Sequence, residues 1–287
     1  MDKIKYWTAE LHCHIGSDAP KNTPQAIASK VRELAAKEKV NAVWFLDHDI
    51  FPDKSFFEKL EPLPVPVMPG IEVSSSFGPT RLVHIGGLFP KIPDYWPFAK
   101  PDWSGGLQSR INTVAALPHP KDVIEAILES GGLPILFHPS NIIPWTSLRL
   151  SEIRKLAEDI DLKLVPLELN SSCIYAPSHQ SIIELAKELG ELTLVGGSDA
   201  HDPPLIGQKR TLFPRYNDNP FSDLRQAVNN RETIVVGNNQ TFFQWLILMG
   251  QRIDLNPTFT KLLRSYYFKK PEKNEADKIK KNYLENR

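Results

Sequence analysis

The stretch Glu10-Leu11-His12-Cys13-His14-Ile15-Gly16-Ser17-Asp18 decides how the rest of this chain is read. In a β-strand, residues i and i+2 point the same way, so the imidazoles of His12 and His14 can converge on one metal ion. Gly16 and Ser17 turn the chain, which lets Asp18 swing back over the strand end. A His-x-His pair on a strand more often only faces solvent, so the stretch needs support from the rest of the sequence.

Reading outward, Ile4 to Leu11 forms a strand that ends at His12. Thr23 as N-cap and Pro24 at the first helical position open a helix. Its apolar positions Ile27, Val31, Leu34 and Ala35 keep helical spacing to Lys39. Asn41 to Asp47 is a nearly continuous apolar run, the pattern of a strand covered on both faces, and it ends in Asp47-His48-Asp49. Strands over Val65–Val73 and Arg81–Leu88 carry Glu72 and His84. Between Phe89 and Pro120 periodicity is lost amid Pro, Trp, Gly and Asp, so this segment reads as a long loop or small insertion, a length typical of lids. A helix over Lys121–Ser130 stops at Gly131-Gly132. Then come a strand over Leu133–His138, a helix over Ser151–Asp159 and a strand over Leu162–Leu169. A helix over Ser178–Leu189 and a strand over Leu192–Gly196 lead into Gly197-Ser198-Asp199-Ala200-His201. A helix over Phe221–Asn230 and a strand over Thr233–Val236 close the pattern.

Strands alternating with helices predict an α/β fold with a parallel sheet. Roughly seven core strands suit a closed or nearly closed barrel. His12, His48, Glu72, His138 and Asp199 each fall at or just past the C-terminal end of a strand, the end that carries active sites in parallel barrels.

Composition sets the bounds. A chain of 287 residues can bury a large core, and 34 basic residues balance 34 acidic ones. Nucleic acid stays possible through a local patch but is not indicated. Cys13 and Cys173 give no disulfide framework, so a reducing cytoplasm is the expected location. No basic segment followed by an apolar run opens the chain, so no signal peptide is expected. The apolar run at Trp245–Met249 is too short to span a bilayer, so no membrane is expected. Oligomeric state is left open.

The candidate ligands are His12, His14, Asp18, His48, Glu72, His84, His138, Asp199 and His201, and they include six of the eight histidines. Imidazoles and carboxylates suit divalent Zn, Mn and Fe. Nine such groups exceed what one ion holds and fit two or three ions with a bridging carboxylate. Buried without metal, they would carry a large desolvation and repulsion cost. A multinuclear site lowers the pKa of a bridging water and neutralises a phosphoryl group.

The chain resembles the PHP family, named for polymerase and histidinol phosphatase. The resemblance lies in Leu11-His12-Cys13-His14 with Ser17-Asp18, Asp47-His48-Asp49, Gly70-Ile71-Glu72, His84, His138-Pro139 and Ser198-Asp199-Ala200-His201, in family order. It spans roughly residues 8 to 240. It implies a distorted (β/α)7 barrel over residues 1–250 with 89–120 as loop or insertion, and a polar C-terminal extension over 251–287. It also implies a trinuclear phosphoesterase with a metal-bridging hydroxide as nucleophile. His12, His14, Glu72 and Asp199 would hold one ion. Glu72 would bridge to a second, held also by His84 and His138, and Asp18, His48 and His201 would hold the third. Asp49, Asp199 and His201 would be the catalytic residues, with Asp49 orienting a ligand or helping proton transfer, and Glu168-Leu169-Asn170 resembles a strand end of small family members. Glu10 stands where many relatives have Asp. Ser140 stands where nucleotide-acting relatives have Arg, so phosphate contacts fall to Arg81, Arg149 and Asn170, with Lys209 and Arg210 as further substitutes. His119 and His179 match no motif and read as surface or structural. Trp96 and Trp103 either stack on a base or pin their loop to the barrel.

The expected function is hydrolysis of a small phosphorylated substrate with two to three Mn, Fe or Zn ions. The alternatives are a nuclease or phosphodiesterase of PHP or TatD-like type, and a non-catalytic PHP binding module.

Overall fold

The computed structural model describes residues 5–16, 19, 22–60, 62–79, 81–104, 106–140, 147–173 and 176–240. Asp18, the Trp245–Met249 run and the 251–287 extension lie outside them. Seven strands ring the core: β1 (Tyr6–His14), β2 (Ala42–Leu46), β3 (Val67–Ser76), β4 (Leu82–Leu88), β5 (Leu133–Leu136), β6 (Leu167–Asn170) and β7 (Leu194–Gly197). Neighbours pair in sequence order. The helices α1 (Pro24–Ala36), α2 (Lys54–Lys59), α3 (Leu107–Ala116), α4 (Pro120–Glu129), α5 (Leu150–Asp159) and α6 (Ala176–Glu188) connect them. Two further strands, β8 (Lys209–Pro214) and β9 (Ile234–Gly237), flank α7 (Pro220–Asn230).

The ring closes at its C-terminal rim, where Cys13 bridges Ala200 in parallel. There His14 N donates to Ala200 O (3.1 Å) and Ala200 N to His12 O (3.2 Å). Asn22 clamps the seam by donating to both the His14 and Ala200 carbonyls. At the opposite rim β1 and β7 splay apart and β8 fills the gap. It pairs antiparallel with Tyr6–Ala9 of β1, while Thr211 Oγ1 exchanges hydrogen bonds with the Gly196 backbone of β7. The result is a nearly closed, barrel-like sheet.

Three expectations need correction. The sheet is not all parallel: β4 runs antiparallel to both β3 and β5, because five residues separate β3 from β4 and a parallel crossover needs a dozen or more. The 89–120 segment contains α3. The strand expected over Leu162–Leu169 begins only at Leu167, after a 3-10 turn at Leu162–Leu164. β8 and α2 were not foreseen.

The barrel interior has two storeys. The lower one is apolar: Trp7, Ala9, Ala42, Trp44, Met68, Leu88, Leu133, Ile135, Val195 and Phe213 pack with Phe221, Leu224, Ala227 and Val228 of α7. This helix plugs the lower end, tied there by Trp7 Nε1 donating to Asp223 and by Thr193 Oγ1 donating to Val228 O. Outside the barrel, α4, α5 and α6 cover β3–β6, and α1 covers the outer face of β1 and β2. Removal of these continuous apolar surfaces from water is the main driving force that holds the ring shut. No helix among the described residues is long and apolar enough to cross a membrane.

Candidate metal centre

The upper storey is polar, and a bulge in β1 puts it there. Ala9 pairs with Ala42 and Glu10 with Val43, yet Cys13 pairs with Phe45, so Leu11 and His12 together oppose Trp44. A bulge re-aims the residues that follow it. Leu11 joins the apolar interior, and His12 and His14 point inward above it while Cys13 packs outside against α1.

Glu72, buried in β3, is the hub. Its Oε1 lies 2.8 Å from both His84 Nδ1 and His138 Nε2. Its Oε2 lies 2.8 Å from His14 Nε2 and 3.4 Å from both His12 Nε2 and His48 Nδ1. None of those three contacts has the alignment of a hydrogen bond. His12 Nε2 and His14 Nε2 are 3.0 Å apart, and Asp199 Oδ1 is 3.7 and 3.3 Å from them. A tetrahedral ion with bonds of about 2.1 Å spaces its ligands about 3.4 Å apart, so these four residues have the spacing of a metal site. The buried His14 Nδ1 also has no hydrogen-bond partner.

Among the described residues, the potential ligand atoms form three tight groups: His12, His14, Glu72 and Asp199; His48, Glu72 and His84; and His14, His48 and His201. The first has the membership expected from the sequence. In the second His48 stands where His138 was expected, although His138 meets the same Glu72 oxygen as His84. In the third His14 joins His48 and His201.

The electrostatics favour positive charge here. Burial pushes Glu72 up, but His48, His84 and His12 outweigh it and hold the carboxyl well below its usual range. Asp199 is likewise lowered against its burial by His12, His14 and His201. Burial and the imidazoles of His14, His84 and His201 depress His48, its tie to Glu72 notwithstanding. His12 is raised despite burial, by Glu168, Glu72 and Asp199. Such a field attracts a proton or a divalent cation alike.

Supporting groups fix the ligands. Glu168 Oε1 accepts from His12 Nδ1 (2.9 Å), while Oε2 accepts from His138 N (2.8 Å) and Asn170 Nδ2 (2.9 Å). That leaves His12 Nε2 with its lone pair toward the centre. Phe137 stacks beneath His12 with centroids 3.7 Å apart. Glu10 is fully buried and accepts from His12 N, Ser198 N, Ser198 Oγ and Gly207 N, and burial pushes it up to about 7. Asp49, His138 and Asp199 have φ of 60°, 32° and 51°. This left-handed backbone is uncommon outside glycine, and strain of this kind concentrates at functional sites.

The other sequence-derived residues fall outside the three groups, except His201, which belongs to the third. Asp49 is spent on Ser74, with Oδ1 accepting from its N and Oδ2 from its Oγ. His201 stacks on His14 at 4.1 Å. Arg81 bonds Glu152 and the Ser147 carbonyl, and Arg149 is the exposed N-cap of α5. Asn170 is buried, with Nδ2 on Glu168 and Oδ1 accepting from Ser172 N, which makes it a support for Glu168. Lys209 is buried against the Asn170 carbonyl and Asn239, and Arg210 donates to Lys39 O. His119 caps α4, and His179 donates to Asn170 O. Trp96 pins the insertion, edge-on to Phe51, Phe89 and Phe98. The roles of Glu10 and Phe137 went unread, since a lone buried acid and a strand aromatic carry no local signal of what they touch.

Residues 177–233 match the family described as PHP-associated. A two-domain protein from Bacteroides vulgatus containing a predicted PHP-like metal-dependent phosphoesterase is similar in fold, with a TM-score of 0.53 and 16% identity over 83% of this chain. This chain spans 66% of that protein's length. PsfC from Pseudomonas syringae is also similar, with a TM-score of 0.51 and 16% identity over 88% of this chain and 100% of PsfC. No curated protein matches.

Proposed function

We propose, on the PHP family assignment that the barrel and the match at residues 177–233 support, that this chain is a metal-dependent phosphoesterase acting on a small substrate such as a nucleotide or sugar phosphate. The observation that carries this reading is the spacing of His12, His14, Glu72 and Asp199 around a buried carboxylate oxygen that accepts no aligned hydrogen bond. Two or three divalent ions of the Mn, Fe or Zn class would be held by the three groups that share Glu72, His14 and His48. Ions bound there supply an acidified water as nucleophile and neutralise charge on the phosphoryl group.

The chain's own residues do the rest. Glu168 keeps the proton of His12 on Nδ1, and Phe137 excludes water from below that ring. Asp199 stays anionic among three histidines and faces the entrance, since its side chain keeps 18% of its exposure. Asp49 and Ser74 tie the end of β2 to β3, which fixes the backbone on which His48 sits. The balanced net charge favours a small ester over a polyanion.

The test is elemental analysis of gently purified protein, with p-nitrophenyl phosphate and bis-p-nitrophenyl phosphate assayed on the same sample. Two to three ions per chain with turnover support the reading, and the preferred ester separates monoesterase from diesterase. Asp199→Asn is expected to abolish turnover with the fold intact. Absence of metal and turnover after reconstitution with Mn, Fe or Zn overturns the enzyme in favour of a binding module.

A further inference from the structure

The two sides of the centre are held by different chemistry. Glu168 stands behind His12, whereas Ser147 stands behind His138, with Oγ 3.3 Å from Nδ1. Ser147 is 2% exposed and lies where the chain returns to the end of β5, beside the bond from Ser140 N to Leu148 O (2.8 Å). Arg81, just before β4, keeps it there: Nη2 donates to the Ser147 carbonyl and Nε to Glu152 Oε1 (3.3 Å). Glu152 is fixed in turn, since its Oε2 accepts from Arg149 N (2.7 Å). The backbone of His138 is tied separately, to Glu168, so the ring is what Ser147 sets.

A carboxylate only accepts, while a hydroxyl donates or accepts as it rotates. Glu168 therefore keeps a proton on His12 Nδ1 and leaves Nε2 ready for a cation. In His138 it is Nε2 that faces a carboxylate, Glu72 Oε1 at 2.8 Å, so the neutral ring carries its proton there and Ser147 Oγ donates to Nδ1. To offer Nε2 to a cation, His138 moves that proton to Nδ1, and Ser147 turns from donor to acceptor. His138 also lies outside the three ligand groups found among the described residues. We propose that Ser147 is a positioning residue for His138 and makes it the late ligand of the centre: the group of His12, His14, Glu72 and Asp199 fills first, and the position that engages His138 fills last and most weakly. The inference rests on the metal-centre reading above and adds to it an order of filling.

The test is calorimetric titration of the metal-free full chain with Mn and with Zn, with circular dichroism as the control for folding. The wild type is expected to fill in separate steps of falling affinity. Ser147→Ala leaves His138 Nδ1 without its partner. It is expected to weaken the last step by about 10- to 100-fold, the usual effect of removing the group behind a histidine ligand, and to keep the first within about twofold of wild type. Glu168→Gln acts on His12 and is expected to weaken the first step instead. Excess Mn or Zn is expected to restore turnover in Ser147→Ala, which a purely structural defect would not allow. A wild type that fills in one step, or a last step unchanged in Ser147→Ala, overturns the order and leaves the phosphoesterase standing. Equal weakening of every step in Ser147→Ala overturns it in favour of a structural role for the serine. A wild type that binds neither Mn nor Zn overturns the order together with the reading beneath it.

Discussion

Glu168, on β6, holds the imidazole of His12, on β1, by a 2.9 Å contact to Nδ1. It thereby decides which nitrogen of that ring faces the centre. Its second oxygen is fully engaged by His138 N and Asn170, so the carboxylate cannot rotate away.

Glu168→Gln is therefore expected to weaken metal binding by about 10- to 100-fold, the usual effect of removing a carboxylate behind a histidine ligand. The amide must turn its NH2 either toward His12 or toward two donors, and both choices cost a hydrogen bond. Titration of the apo-protein with Zn or Mn checks this, with circular dichroism as the control for folding. Unchanged affinity would mean that His12 is oriented by something else.

Gly197→Ala tests the same contact from the other side. An added Cβ would sit 2.2 Å from Glu168 Oε1 and 2.6 Å from His12 Cβ. The wall is packed on both sides, so a loss of about 1–3 kcal/mol is expected, along with reduced metal content. Urea midpoints and elemental analysis measure the two. A variant that keeps wild-type values in both would show that the barrel relaxes there without consequence.

Chelation should lower the melting temperature, because ions that bind only the folded chain stabilise it by mass action, about 2.7 kcal/mol at free metal 100-fold above Kd. Glu72→Ala is expected to erase most of that shift, since Glu72 belongs to two of the three ligand groups. If the variant gained as much from added metal as the wild type, the hub role of Glu72 would be wrong.

His179 gives a pH signature apart from the metal. Burial, then the charge of Lys209, lowers its pKa from 6.5 to about 4, against its bond to Asn170 O. A folded pKa below the unfolded one means that the unfolded chain binds more protons between those values. The stabilisation is thus complete above pH 6.5 and is lost as pH falls through 4. For a partly exposed ring the total is about 2 kcal/mol. Relative to wild type, His179→Gln should flatten the fall in urea midpoint between pH 6.5 and 4, and parallel curves would refute the assignment.

Much of this site is legible in the sequence because its signals are local. His12 and His14 share a face through the two-residue period of a strand. His48 and Asp199 announce themselves by following apolar runs, and so many imidazoles and carboxylates in strand-end positions mark a cluster that could hold metal. These are properties of a few consecutive residues and the chemistry they carry.

What only the tertiary structure decided depends on partners distant in sequence. The bulge that puts Leu11 and His12 opposite Trp44 is a matter of register between β1 and β2, and nothing in either strand alone encodes it. β8 begins with Lys209 and Arg210, so it reads as surface until pairing with β1 and contact with β7 bury it. His48 joins Glu72 and His84 because the bridge between His48 and Glu72 brings two strand ends together, while His138 keeps its place on the Glu72 oxygen that His84 meets. The contacts of Asn170 with Glu168 and of Trp96 with Phe51, Phe89 and Phe98 likewise join segments far apart in sequence. Local sequence specifies which groups can bind, but burial and register, which need the closed ring, fix which of them meet.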